Sequence, residues 1–114
     1  MPDTGRRSRR RMSMIYIAHP FTGNEERNRK MAVRIQRGLQ EADPENCYIN
    51  PLAAFGALEG MDYMEILEQC LELLYRCDEI LMTPGWKESR GCRLEFACAT
   101  AWGKKVGSLK FVEV

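Results

Sequence analysis

The sequence lacks the features that mark several classes of protein. It contains one histidine, His19, and its five cysteines include no CxxC pair, so a zinc site has little support. No apolar run approaches the roughly 18 residues that a transmembrane helix needs, and no apolar core of a signal peptide follows the amino-terminal arginines. We therefore expect a cytoplasmic protein with reduced thiols, without a membrane partner and without a bound metal.

The chain also has little excess charge outside its first residues. The net charge is +1 at pH 7, but residues 1–11 hold five arginines and one aspartate, so the remainder carries 12 basic and 15 acidic residues. A general nucleic-acid-binding surface needs clustered positive charge, so this composition argues against nucleic acid as a partner of the folded part. We expect residues 1–13 to form a disordered basic leader, with an arm that contacts RNA or another polyanion as the alternative. The length of 114 residues then leaves one compact domain, at 14–114.

Apolar segments of strand character alternate with segments of helical periodicity along residues 14–112. Asn24, Asp62 and Ser89 precede the helical segments and are residue types that cap helices. We predict an α/β fold, a three-layer αβα sandwich of Rossmann or flavodoxin type with a mostly parallel sheet of about four or five strands. The predicted strands are 14–18, 47–49, 78–82 and 106–112, and the predicted helices are 24–41, 62–76 and 89–102.

One strand, turn and helix near the carboxyl end of the chain carries the strongest sign of chemistry. The apolar segment 80–82 meets a Pro84-Gly85 breaker, a helix begins at Ser89, and Glu95 follows about one and a half turns into that helix. Open α/β sheets bind ligands at this end of their strands, and a helix amino terminus offers free N–H groups to an anion. A carboxylate there can attack or stabilise a sugar carbon that becomes cationic. The alternative is a solvated Glu95, or one paired with a neighbouring arginine.

The predicted elements place further residues near the same crevice. Tyr16 lies near the carboxyl end of the first strand, where its hydroxyl could hydrogen-bond Glu95, although a core tyrosine is the simpler interpretation of that position alone. Ser89 either caps the helix or offers its hydroxyl to a phosphate, and the two uses are compatible. Trp86 is a loop aromatic that could flank a flat base. The remaining candidates are His19, Pro20, Asn50, Asp78 and Gly91.

These segments together resemble a known family. Residues 15–23, IYIAHPFTG, are similar to the "YIAGPMTG" opening of the nucleoside 2-deoxyribosyltransferase-like proteins, and most similar to their DUF4406 group. Residues 50–51 match the "NP" after the second strand, and 77–91 match "cDaillLPGWexSxG". Glu95 stands where the family has its glutamate. The resemblance covers about residues 14–107 and is more specific for the family than for one activity.

The resemblance implies roles for several residues. In characterised relatives the glutamate attacks the anomeric carbon of a deoxynucleoside and a tyrosine orients it, which implies Glu95 as nucleophile and Tyr16 as its positioning residue. Asp78 either ends the preceding helical region or binds a hydroxyl, and in the enzyme it would support the sugar or the motif. Relatives that act on free nucleosides tend to carry aspartate at the position of Ser89, whereas relatives that act on 5′-monophosphates carry a serine that binds phosphate. Ser89 and Gly91 thus favour a phosphorylated ligand. The resemblance implies no cofactor, and a homodimer or larger homo-oligomer.

Two departures from the family pattern leave the function open. His19 replaces the usual glycine, and Cys70 stands where many relatives carry an aspartate that handles the base or its proton transfer. The leading hypothesis is a hydrolase or deoxyribosyltransferase that acts on the N-glycosidic bond of a (deoxy)nucleoside 5′-monophosphate. The alternatives are a protein that binds a nucleotide or an ADP-ribose-like ligand without turnover, which Cys70 supports, and an interaction protein with a vestigial site.

Overall fold

The computed structural model of the protein describes residues 11–110. The leader predicted for residues 1–13 therefore lies mostly outside the described residues, as does the end of the last predicted strand. Within the described part, four strands alternate with helices. The strands are β1 (Met14–Ala18), β2 (Cys47–Ile49), β3 (Glu79–Met82) and β4 (Lys105–Ser108); the α-helices are α1 (Glu25–Ala42), α2 (Pro51–Ala54), α3 (Tyr63–Tyr75) and α4 (Arg90–Ala101).

All four strands are parallel and lie in the order β2-β1-β3-β4, which confirms the predicted α/β fold with a parallel sheet. β1 is a central strand, with Tyr16 opposite Ile49 of β2 on one side and Ile80 of β3 on the other. The chain leaves β1 towards β2 and later returns to β3 on the opposite side. Right-handed connections place the intervening helices on opposite faces of the sheet, and a crevice opens between the carboxyl ends of β1 and β3.

The main core lies between the sheet and the pair of helices α3 and α4. Tyr16 and Ala18 share one face of β1, because side chains two apart along a strand point the same way. They pack in one buried cluster with Leu74 of α3 and Cys92 of α4. The sequence predicts an apolar stripe on this helix from the spacing of Met64, Leu67, Leu71 and Leu74. Met64 is instead 50% exposed in the first turn of the helix.

Side-chain caps begin three of the four α-helices in the described residues. Asp62 accepts hydrogen bonds from the N–H groups of Met64 and Glu65, and so begins α3 as its sequence pattern predicts. Asn24 precedes α1, but its side chain makes no capping hydrogen bond, so that detail of the prediction is wrong. Within residues 11–110 no helix combines the length and the apolar character needed to cross a bilayer.

Candidate active site

The centre of the crevice is a buried pair formed by Glu95 and Tyr16. Glu95 is only 7% exposed, and the Tyr16 hydroxyl, on the central strand, donates a hydrogen bond of 2.6 Å to Glu95 Oε2. Within the described residues no ion pair joins Glu95 to an arginine, and Arg93 donates instead to the Lys87 carbonyl. The sequence left open a solvated or arginine-paired Glu95 as the alternative, and the structure shows a buried Glu95 instead.

The surroundings of the pair perturb both of its acids. Burial raises the pKa of Glu95 to about 7, and the hydrogen bond from Tyr16 opposes that rise. Burial, and after it the charge of Glu95, hold the pKa of Tyr16 well above its ordinary value. Tyr16 therefore remains a proton donor to Glu95, and the Glu95 carboxyl exchanges its proton near neutral pH. A raised carboxyl pKa beside a cavity is a common property of functional acids.

The amino terminus of α4 borders the same space. Ser89 caps this 12-residue helix, and its Oγ accepts a hydrogen bond of 3.2 Å from the Cys92 N–H. The N–H groups of Arg90 and Gly91 belong to the first turn, where a helix has no acceptor of its own for them. Together with the Ser89 hydroxyl proton they form a set of donors, at the positive end of the helix dipole, for an anionic group.

Two adjoining cavities flank this helix end. The outer chamber, of about 500 Å³, is bordered by Pro20, Glu88 and Arg90 among others. The inner chamber, of about 120 Å³, contains Glu95 and His19, and its other walls are largely apolar, with Phe21, Leu52, Ile66 and Cys70. Four residues line both chambers: Thr22, Tyr63, Ser89 and Gly91. A ligand with one charged end and one flat apolar end fits this division.

Tyr63 is a site residue that the sequence reasoning missed. It is the first residue of α3, and its side chain lines both chambers. The backbone of Gly91 leaves room for it, because a Cβ at Gly91 would lie 2.9 Å from the Tyr63 hydroxyl. The only signal in the sequence was an aromatic residue directly after the Asp62 cap, and nothing there indicates which helix end it faces.

For the nucleotide that the sequence predicts as ligand, we expect the substitution Gly91→Ala to weaken binding about tenfold. The new methyl group must displace the Tyr63 hydroxyl into the junction of the chambers, where it takes space from the ligand, and a tenfold loss of affinity corresponds to about 1.4 kcal/mol. Titration calorimetry with a nucleoside monophosphate measures the loss. Gly38→Ala is the control, because a Cβ at that position in α1 meets no atom within 4 Å. Equal affinities for the two variants would contradict this account of Gly91.

His19 and Pro20 both reach the site from the loop after β1. His19 Nδ1 lies 2.7 Å from Thr83 Oγ1, which places the ring between the ends of β1 and β3. Pro20 lines the outer chamber beside Gly85, where a Cβ would lie 3.6 Å from Pro20 Cγ and where the φ of +90° would strain any side chain. Both positions agree with the location that the sequence predicts.

Asp78, Trp86 and Asn50 are not brought to the chambers. Asp78 precedes β3 at the amino end of the sheet, where its carboxylate accepts hydrogen bonds from the Met14 N–H and from Arg11. These donors lower the pKa of Asp78. Because the candidate site lies at the carboxyl ends of the strands, the role expected for Asp78 is wrong in its geometry, and we leave that residue out of the site.

The other two residues have structural contacts of their own. Trp86 packs on Phe96, with ring centroids 4.8 Å apart, and is absent from the walls of both chambers. Asn50 Oδ1 accepts from the Leu52 N–H and caps the short helix α2. Asn50 thus contributes indirectly, by holding Leu52 at the inner chamber.

Cys70 occupies the inner chamber as an uncharged thiol. Burial, followed by the charge of Glu95, raises the pKa of Cys70 to about 11. Burial likewise raises the pKa of Cys92, a second thiol on the chamber wall, to about 12. Neither group exchanges protons readily near neutral pH, so Cys70 does not replace an aspartate as an acid or base. The described residues contain no group of three or more His, Cys, Asp or Glu placed to hold a metal ion.

The parallel sheet, the crevice between the carboxyl ends of β1 and β3, and the helix that carries Glu95 define a fold of the nucleoside 2-deoxyribosyltransferase type. The chain belongs to the DUF4406 family, whose profile, described as a domain of unknown function, matches residues 13–108. A solved structure, the 2-desoxiribosyltransferase from Leishmania mexicana, has the same fold with a TM-score of 0.61 and 18% sequence identity. The match covers 85% of this chain and 63% of that one, so the chain spans less than two thirds of its length. No curated protein matches the sequence.

Proposed function

We propose that the protein cleaves the N-glycosidic bond of a (deoxy)nucleoside 5′-monophosphate. The observation that carries this proposal is the buried Glu95–Tyr16 pair, in a chamber that shares four wall residues with the space at the amino terminus of α4. Glu95 attacks the anomeric carbon, the bond to the base nitrogen breaks, and its electron pair leaves with the base. Water or a second base then displaces Glu95 from the sugar.

The electrostatics of the pair suit this reaction. A sugar carbon that acquires positive charge is stabilised by the Glu95 carboxylate, and the low-polarity walls strengthen that attraction. A deoxy sugar ionises more readily than a ribose because it lacks the electron-withdrawing 2′-hydroxyl, so one carboxylate suffices. The hydrogen bond from the Tyr16 hydroxyl holds the Glu95 carboxylate in a fixed orientation.

The outer chamber provides for a 5′-phosphate. The donors are the Ser89 hydroxyl, the N–H groups of Arg90 and Gly91, and the Arg90 guanidinium. Glu88 also lines this chamber and its charge disfavours an anion beside it, so we assign the phosphate to the donors of Ser89, Arg90 and Gly91. The flat base then occupies the apolar inner chamber.

Base release from deoxynucleoside monophosphates and from the matching nucleosides, followed by chromatography, tests the proposal. We expect Ser89→Asp to lower kcat/KM for the monophosphate about 10²-fold and to spare the nucleoside, because like charges a few ångströms apart repel by several kcal/mol. Ser89→Asn is the matched control, since asparagine caps a helix as well as aspartate but is neutral. Equal losses in the two variants, or equal losses for nucleotide and nucleoside, would count against a phosphate at Ser89.

The state of Cys70 favours a second candidate function. Among the described residues that line the inner chamber, Cys70 is a neutral thiol and Glu95 is the one carboxylate, so no second acid serves the departing base. A protein that only binds a nucleotide or an ADP-ribose-like ligand needs none. Saturable binding of a monophosphate without any release of base, unchanged in Glu95→Gln, would favour this function over catalysis.

Assembly into a homodimer or larger homo-oligomer is part of the proposal. The predicted interface, the apolar stripe of α3, is not free for it, because Leu67 and Leu74 are buried in the core. Three apolar side chains of this region do remain exposed: Met64 from the stripe, Tyr75 at the end of α3 and Trp102 after α4. These three side chains are the surface we assign to self-association.

A further inference from the structure

Hydrolysis at Glu95, which the following inference takes from the proposed function, requires a group that accepts a proton from water. Water is a weak nucleophile, and its attack on the glycosyl ester is accelerated when a base removes a proton in the transition state. The inner chamber offers only a few titratable side chains besides Glu95: His19, Tyr63, Cys70 and Cys92.

Three of those four groups do not serve as bases near neutral pH. Burial raises the pKa values of Cys70 and Cys92 to about 11 and about 12, and it also raises the pKa of Tyr63. Burial, together with the charge of Arg27, lowers the pKa of His19 below its ordinary 6.5. His19 is therefore neutral in the resting protein and holds an unprotonated ring nitrogen.

The hydrogen bonds around His19 identify that nitrogen. The Thr83 hydroxyl donates to the Ala18 carbonyl at 3.1 Å, which uses its only hydrogen. We therefore assign the ring proton to His19 Nδ1, which lies 2.7 Å from the same oxygen and donates to it in this tautomer. Nε2 is left as the acceptor; it has no hydrogen-bond partner among the described residues and is almost closed off from solvent, so the ring has to shift slightly for water to reach it. A buried polar atom without a partner is uncommon in a folded protein and calls for a ligand or a reaction that uses it.

We propose that His19 Nε2 is the general base that activates water in the second half of the reaction. The water oxygen bonds to the anomeric carbon, the bond from that carbon to Glu95 breaks, and its electron pair returns to the carboxylate. The proton of the water passes to Nε2, and the imidazolium keeps its Nδ1–H bond to Thr83 until it returns the proton to solvent. The base released in the first half takes its own proton from solvent, so each turnover balances.

The variant His19→Asn tests this role. Its amide can reach the position of Nδ1 and keep the contact with Thr83, but it has no group at the position of Nε2. With a deoxynucleoside monophosphate we expect a burst of about one base per active site, followed by a steady rate reduced about 10²- to 10⁴-fold, the usual contribution of a general base. Mass spectrometry should detect the glycosyl adduct on Glu95.

Sodium azide separates a base from a structural residue. Azide attacks the anomeric carbon without losing a proton, so it should restore turnover of His19→Asn and yield a glycosyl azide. His19→Gln places an amide oxygen near the position of Nε2, where it accepts hydrogen bonds but holds no proton, and we expect the same burst and the same rescue. This second variant also answers the question should His19→Asn fail to fold.

The outcomes distinguish this inference from the proposed function. A slow variant without burst or azide rescue, or wild-type turnover in His19→Gln, would overturn the role of His19 while Glu95-dependent hydrolysis stands. If the wild-type protein releases no base in a Glu95-dependent manner, the proposed function fails, and the role of His19 is overturned with it.

Discussion

Replacing Glu95 with glutamine is expected to reduce base release from a nucleoside monophosphate by at least ~10⁴-fold, the scale of loss that follows removal of a covalent nucleophile. Glutamine has nearly the same shape, and its amide oxygen can still accept the hydrogen bond from Tyr16. The variant should therefore bind the nucleotide and lose only the chemical step. Chromatography of the released base, beside calorimetry of binding, measures the two effects separately.

The control for this variant is Glu68→Gln, which makes the same chemical change on the exposed surface of α3. We expect it to retain full activity. Base release that persists in Glu95→Gln at the rate of Glu68→Gln would remove Glu95 from the reaction. Loss of nucleotide binding together with turnover would show that the carboxylate serves recognition rather than attack.

The same substitution should stabilise the protein, in a manner that depends on pH. The pKa of Glu95 is about 7 in the folded protein against an ordinary 4.5, so the folded state holds the proton more tightly than the unfolded chain. As pH rises from 4.5 to 7 the unfolded chain ionises first, and the free energy of unfolding falls by about 3 kcal/mol in total. Glu95→Gln lacks this loss.

Urea unfolding at pH 4, 6 and 8 tests this expectation. The two proteins should have equal stability at pH 4, where Glu95 is protonated in both states. The variant should exceed the wild type by up to about 3 kcal/mol at pH 8, with an intermediate difference at pH 6. A constant difference at all three values would mean that the Glu95 pKa is not raised, and would weaken the case for a poised carboxyl in the inner chamber.

The fold and the position of Glu95 could be predicted from the sequence because the signals for them are local. The apolar segment 80–82, the Pro84-Gly85 breaker and the Ser89 cap are adjacent along the chain, and together they fix where Glu95 stands. The same rule allowed Tyr16 to reach Glu95, since the carboxyl ends of parallel strands meet at one edge of the sheet, but its role as positioning residue came from the family resemblance.

The parts that the sequence did not predict depend on contacts between distant segments. Tyr63 reaches the chambers only because α3 packs beside α4, and Gly91 leaves room for its hydroxyl. Trp86 was expected at the ligand but is held by Phe96, a contact that no spacing indicates. Asp78 was misplaced for a different reason: a residue that precedes a parallel strand belongs to the opposite edge of the sheet from one that follows it.

The pairing of β1 with neighbours on both sides restricts how the pocket can be redesigned. Adding or deleting one residue inside this strand would reverse every side chain beyond that point, so that an isoleucine would face Glu95 and Tyr16 would face α1. Changes of length are better placed in the turn at 21–24, after the last position that the sheet constrains. An engineer who wishes to enlarge the chamber should begin there, and leave the strand untouched.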